Sequence, residues 1–347
     1  MPTPRSPRTP EAATAPIVVD KFGGSVLRRP EDIAAAVDVV ARQRGAGMRP
    51  VVVVSAFEGV TDTILGSARA LLPDADAWLR EPAQSHDSAV ARETDRALAT
   101  GEALSAALFA LGLQARGLTA RSFSGAEAGI RTAAAHLGAE VRRVLSRPLR
   151  AALNDGLVPV VAGFQGIGTH GELTTLGRGG TDLSAVVLAV ALRADRCELF
   201  KDVGGVLEAD PHLVPAARLL PTVDALQLEM LAEMGAEVIH PVAVRRARRG
   251  RLQLVVRALD DGAPRTVVRP AAAHDAVGVL MLAVDRKDRM ARISLVGPAA
   301  LTPELLPLPA HGEGAFDEGG IRVVWADVPI SAAEAAAQRV HAAFMAR

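Results

Sequence analysis

The chain has no tyrosine, one cysteine and only 3% aromatic residues. Each scarcity excludes something. Unpaired bases stack on aromatic platforms, so so few rings argue against a single-stranded nucleic-acid binder. A lone cysteine, Cys197, cannot close a disulfide within the chain, and the expected compartment is the reducing cytoplasm. Cys197 sits in the apolar run "CELF" and reads as a small buried hydrophobe, not a nucleophile. Neither sign of charge dominates: Lys+Arg and Asp+Glu are both 39. The global basic field that favours DNA or an anionic membrane is therefore missing. No run approaches 18 uninterrupted apolar residues, so no membrane span is expected. The opening "MPTPRSPRTPEAATAP" lacks the apolar segment of a secretory signal and reads as a disordered tail over residues 1–15.

Several motifs are missing too. There is no G-x-x-x-x-G-K-[ST], "GFQGIG" has the wrong spacing for a dinucleotide fingerprint, and there is no G-x-S-x-G elbow. The histidines are scattered without a Cys/His cluster, so no metal-ligating side chains are assigned.

What is present is a core of alanine, valine and leucine within a chain that is 49% apolar. "IVVDKF" predicts a strand, "GGS" a turn, "RPEDIAAAVDVVARQRGAG" a helix with Pro30 near its first turn, and "RPVVVVSAF" a second, fully apolar strand. Strand and helix continue to alternate through "GVTDTILGSARALL", an alanine-rich helical stretch over about 84–115, "LTARSFSG", a helix over "HLGAEVRRVLSRPLRAALNDG", "VPVVAGFQG", "GGTDLSAVVLAVALRA" and "RCELFKDVGGV". A helix–turn–helix over "LQLEMLAEMGAEVIHPVAVRRARRG" and the strand "RLQLVVRAL" complete the series. This order predicts an α/β fold with a doubly wound, mostly parallel sheet in three layers. The character breaks at "DDGAPRTVVRPAAAHD", about 260–275. Beyond it, two strands, a proline-rich stretch, the strand "GIRVVWADVP" and a final helix predict a small α+β module of about 70 residues. The basic run "RRARRGR" reads as a solvated helix end.

Two stretches carry chemistry on their own residues. "VVDKFGGSVL" ends an apolar strand by setting Lys21 against Gly23 and Gly24, which leaves an ammonium in need of an anion. "TTLGRGGTDLSA" surrounds Arg178 with glycines before Thr181, Asp182 and a helix, a backbone that lets N–H groups approach an anion. Asp182 has two readings: a first-turn acid favoured by the helix dipole, or a carboxylate that orients a substrate ammonium or a catalytic lysine. Glu102, near the start of "TGEALSAALF", has the same dipole reading. "FKDVGGVLEADP" is a glycine-rich loop at the carboxyl end of a strand, where α/β folds bind ligands.

Taken in order, "KFGGSV", "VVVVSAFEGVTD", "TGEALSAAL", "GFQG…TTLGRGGTD", "KDVGGVLEADP" and "GAEVIHP" resemble the amino acid kinase family, and within it the aspartate kinases, over roughly 17–260. The resemblance implies transfer of a phosphoryl group from ATP, with Mg²⁺, to the side-chain carboxylate of L-aspartate. It implies Lys21 and Asp182 as catalytic residues. It implies Ser55, Thr61, Glu102, Arg178 and Thr181 for the amino acid, with Glu102 holding the α-ammonium and Arg178 a carboxylate. It implies Gly23, Gly24, Lys201, Asp202, Gly205, Asp210, His212 and Glu237 for the nucleotide. The partners are small molecules and a second copy of the chain, not nucleic acid or membrane. The kinase domain is expected over 16–260, and a single shortened ACT-like domain over 275–347.

The departures from the family's pattern all fall on the nucleotide half. The family's A-D-P-R reads "ADPH", so His212 replaces an arginine, and G-A-K-V-L-H-P reads "GAEVIHP", so Glu237 replaces a lysine. Leu207 stands for a tyrosine and Glu208 for a threonine, while Lys201, in "KDV", would partly restore the missing charge. Three functional readings stand at this point: an aspartate kinase, a kinase with another donor or acidic acceptor, or a catalytically impaired homologue that binds amino acid and regulates a partner.

Overall fold

The structure is a computed structural model and describes residues 15–71, 89–236, 238–260, 262–263, 265–270, 281–287, 289–298, 301 and 312–345. It forms two compact units, Met1–Phe200 and Lys201–Arg347.

The first unit runs β1 (Ile17–Phe22), α1 (Ile33–Gly45), β2 (Arg49–Val54), α2 (Val60–Leu71), α3 (Ala89–Ala115), β3 (Ala120–Phe123), β4 (Ile130–Thr132), β5 (Val141–Val144), α4 (Arg147–Asn154), β6 (Val158–Ala162), β7 (Gln165–Ile167), β8 (Leu173–Thr175), α5 (Gly180–Leu192) and β9 (Arg196–Phe200). Strands β9-β1-β2-β6-β3 lie side by side and every pairing among them is parallel. β1, β2 and β6 are buried at every position. A strand can be apolar throughout only if both faces of the sheet are covered. α1 and α3 pack against each other and against β2, while α5 packs on β1 and β9 and α4 on β6. β5-β4-β7-β8 form a second, small sheet.

By length and composition α3 could cross a membrane, but half of its apolar window is buried inside the fold. It packs on β3 and β6 and carries the buried acids Asp95 and Glu102. Cys197 is wholly buried on β9, and burial pushes its thiol pKa well up, so it is inert in the sense expected.

One expectation for this unit fails. The span 136–156 is not one helix: Leu137 is left-handed (φ 59°), Val141–Val144 pairs antiparallel with β4, and only Arg147–Asn154 is helical. Pro148 is the reason. Proline lacks the N–H an interior turn needs, so it starts a helix instead of continuing one.

The second unit contains β10 (Thr222–Asp224), α6 (Ala225–Glu233), α7 (Pro241–Arg249), β11 (Gln253–Arg257), β12 (Arg265–Arg269), β13 (Met281–Lys287), β14 (Met290–Pro298), β15 (Gly312–Glu318), β16 (Ile321–Pro329) and α8 (Ala333–Met345). β12 pairs with β10 in parallel and with β11 antiparallel. It lies inside the stretch read as a break, where "TVV" supplies a short β-branched run that flanking glycine and proline conceal. β13-β14-β16-β15 is an antiparallel sheet that packs against α8. β15, with its glycines and exposed side chains, has no apolar period and was not expected. The basic run on α7 is tied to α6: Arg245 and Arg248 reach the buried Glu229 at 2.5 and 2.8 Å.

Candidate active site

Lys21 stands at the carboxyl end of β1, flanked by Val53 of β2 and Leu199 of β9. Its ammonium Nζ lies 2.7 Å from Oδ1 of Asp182, and both side chains are more than nine-tenths buried. Asp182 is in the first turn of α5. The turn before it, "GRGG", places Gly177 and Gly179 in the left-handed region (φ 72° and 71°), a conformation that side chains resist. Of the two readings of Asp182, the geometry therefore selects the carboxylate that orients a lysine. Gly23 is required for a different reason. A Cβ there would sit 2.9 Å from Lys21 Nζ, so a larger residue would push the ammonium aside.

The ends of β1, β2 and β6 converge beside this pair. Ser55 N–H donates to Phe22 O (3.0 Å) and Gly163 N–H to Val54 O (3.0 Å). Thr181 Cγ2 would lie 2.6 Å from a Cβ at Gly163, so Thr181 packs on the turn after β6. A Cβ on Gly24 would lie 3.2 Å from Ala56 O. Glu102 comes from α3. Its Oε1 accepts from the Ala56 N–H at 3.1 Å, while Oε2 is buried and has no hydrogen-bond partner among the described residues. Burial raises the Glu102 pKa to about 7, against the smaller opposing effect of the Ala56 hydrogen bond. Thr61, in the first turn of α2, and Ser55 are half-buried. Arg178 is exposed on the glycine loop and forms no ion pair among the described residues. The strand ends thus hold a buried cation paired with Asp182, with Glu102 bonded to the turn after β2 and one of its oxygens lacking a partner among the described residues.

One cluster was missed by the sequence analysis. Asp95, wholly buried on α3, lies 2.7 Å from His136 Nδ1 and accepts from Leu137 N–H (3.1 Å) and from the Thr175 hydroxyl. Thr175 ends β8, just before the loop that carries Arg178. Asp95 and Glu102 are seven residues apart and share a face of α3, which was the one available signal.

Lys201, Asp202, Gly205, Asp210 and His212 line a single cavity of about 610 Å³ in the second unit. Asp210 Oδ1 accepts from His212 N–H at 2.9 Å, which shapes the "ADPH" turn. Glu237 lies outside the described residues. Burial works against ionisation of Glu208, yet hydrogen bonds from Arg218, and a further one with His341, hold its pKa below the usual glutamate value.

Comparison with known proteins agrees with this arrangement. The profile described as "Amino acid kinase family" matches residues 16–258. The chain is 34% identical over 281 residues to aspartokinase 2 of Bacillus subtilis, a match covering 81% of this chain and 65% of that one. It is 37% identical over 286 residues to the aspartokinase of Mycolicibacterium smegmatis, covering 81% and 64%. The chain therefore spans just under two-thirds of the length of these relatives. A solved structure of E. coli aspartokinase III in complex with aspartate and ADP superposes with a TM-score of 0.78 at 20% identity, covering 95% of this chain and 100% of that one. The profile match spans well over half of the chain: this chain belongs to the amino acid kinase family.

Proposed function

We propose that the chain is an aspartate kinase, converting ATP and L-aspartate to ADP and 4-phospho-L-aspartate. A side-chain carboxylate oxygen attacks the γ-phosphorus, the bond to the β–γ bridging oxygen breaks, and ADP leaves with that oxygen. The acceptor is already ionised at neutral pH and needs no base. The observation that carries the reading is the buried Lys21–Asp182 pair at the carboxyl end of β1. Phosphoryl transfer spreads charge over phosphoryl oxygens, and its catalysis is mostly positioning and electrostatic stabilisation. Asp182 holds Lys21 in place through its ion pair. Glu102 would hold the substrate α-ammonium on its unpartnered oxygen, and Arg178 a carboxylate, with Ser55, Thr61 and Thr181 completing the pocket. Gly23 and Gly24 would contact phosphate, and the nucleotide would occupy the cavity lined by Lys201, Asp202, Gly205, Asp210 and His212. The aspartate and ADP found in the E. coli relative support both halves of this reading.

Mg²⁺ fits as an ion that arrives with the phosphates. Among the described residues no group of three or more His, Cys, Asp or Glu side chains forms a ready cage. Mg²⁺ typically takes one or two carboxylates and leaves the rest to phosphate and water. Asp202 and Asp210, both exposed at the cavity, would supply them. We further read 16–260 as the kinase domain, 275–347 as one shortened ACT-like domain, and the working form as a cytoplasmic homodimer. The deciding experiment is Mg²⁺-ATP turnover across a panel of acidic amino acids, with hydroxylamine to trap acyl phosphate. ADP release and hydroxamate with L-aspartate are expected. A folded protein that binds aspartate yet stays silent with ATP would overturn the assignment.

A further inference from the structure

The resemblance implies cations where this chain has His212 and Glu237. A phosphate site that loses two cations should fail unless something replaces them. The cavity lining shows a candidate. Besides the loop residues, its wall includes β13, a strand of the C-terminal sheet, through Val284, Asp285 and Arg286.

That wall is held against both flanks of the cavity. Leu282 N–H donates to Glu208 O at 2.8 Å, and Gln338 Nε2 of α8 donates to Leu213 O at 3.0 Å. Glu208, one of the departures, is itself 3.2 Å from His341 Nε2 of α8. On the other flank a Cβ at Gly235 would lie 2.7 Å from Asp285 Cβ, so the glycine of "GAEVIHP" admits β13. Leu282 belongs to an apolar cluster with Ala209, Leu213 and Val214, and Val284 packs against it. Side chains alternate along a strand, so Arg286 continues the face of Leu282 and Val284 that meets the "ADPH" loop. It is exposed there and forms no ion pair among the described residues.

The charges of the lining make the case. Among the described residues Lys201 and Arg286 are its two permanent cations, against the carboxylates of Asp202, Asp210 and Asp285. Without Arg286 a single cation would face three acids, a poor seat for a polyphosphate. A guanidinium also offers the fork that matches phosphate oxygens in pairs.

We propose that Arg286 binds the nucleotide polyphosphate, replacing the lost loop cations, so that the C-terminal sheet completes the nucleotide site. This rests on the reading that the cavity takes ATP. The test is calorimetric titration of the full chain with Mg²⁺-ADP, adenosine and L-aspartate, for wild type, Arg286→Ala, Arg286→Lys and the control Arg339→Ala on α8. Arg286→Ala should weaken ADP binding at least tenfold and leave adenosine and aspartate unchanged. Arg286→Lys should recover part of the loss, and Arg339→Ala should match wild type. ADP affinity within twofold of wild type in Arg286→Ala would overturn the proposal while leaving the kinase reading intact. Equal losses for ADP and adenosine would mean a merely structural wall and would overturn it too. A wild type that binds aspartate but no ADP would remove both the proposal and the ATP reading.

Discussion

The two charged centres of this protein are built in opposite ways. The Lys21–Asp182 pair is sealed at the end of a parallel sheet, with both partners more than nine-tenths buried. The charges around Lys201 line an open cavity, where Asp202, Asp210, His212 and Arg286 are exposed. A buried pair is costly to desolvate and is held only by good geometry, so neither partner can change alone. Exposed charges are screened, and their positions can be exchanged among neighbouring segments at small cost. The resemblance places its departures at the open centre, where a cation lost from one loop can be supplied from another strand.

The sharpest way to test that contrast is to break the closed pair. Lys21→Met should reduce kcat by at least ~10³-fold, the scale of removing one preorganised transition-state contact, as measured by ADP release. It also takes from the buried Asp182 its cationic partner Lys21, which should cost roughly 3–5 kcal/mol in urea unfolding. The double change Lys21→Met with Asp182→Leu should regain most of that stability and no activity; a double variant as unstable as the single one would contradict the account of the pair.

Glu102→Gln should lower aspartate affinity about 100-fold, on the scale of a hydrogen bond to a charged group, by calorimetry. Its stability effect should have the opposite sign. The folded-state pKa of about 7 lies above the ordinary 4.5, so the folded protein prefers the protonated carboxyl. The penalty is absent below about 4.5, grows as pH rises, and is complete above about 7. Glu102→Gln should therefore raise stability at pH 8 by about 3 kcal/mol and change nothing at pH 4. For the same reason wild-type aspartate binding should tighten between pH 6 and 8 and release protons near pH 7.

Asp95→Ala removes the shared acceptor of His136, Leu137 and Thr175. It should destabilise by about 2–3 kcal/mol and raise KM for aspartate several-fold, because β8 leads into the Arg178 loop. A normal KM in a destabilised variant would reduce the cluster to a structural role. The smallest effect should come from the open centre: Lys201→Thr should weaken ATP binding about three- to tenfold and leave stability within roughly 0.5 kcal/mol. Unchanged nucleotide affinity would remove Lys201 from the site.

Much of this was legible in the sequence because local rules were obeyed. "VVVV" gives a strand buried on both faces, "GRGG" a turn only glycine accepts, and the alternation of strands and helices a parallel sheet. Three things were not legible. β15 has no apolar period, β12 hides between turn residues, and Pro148 is read as helix interior unless its missing N–H is given weight. The Asp95 cluster was hidden for another reason: its members come from α3, β8 and the turn after β4, and nothing local marks an acid that will be buried by distant segments.

The order of motifs and the strand end at Lys21 follow from the sequence by itself, since each is a matter of residue type and spacing; the departures at His212 and Glu237 follow from the resemblance those motifs carry. Tertiary structure alone decided the partner of Lys21, the pKa of Glu102 and the wall of the cavity around Lys201. Ion pairing, desolvation and cavity charge depend on distances between segments far apart in the chain, and the register that brings β13 against the "ADPH" loop is set by packing of the whole unit.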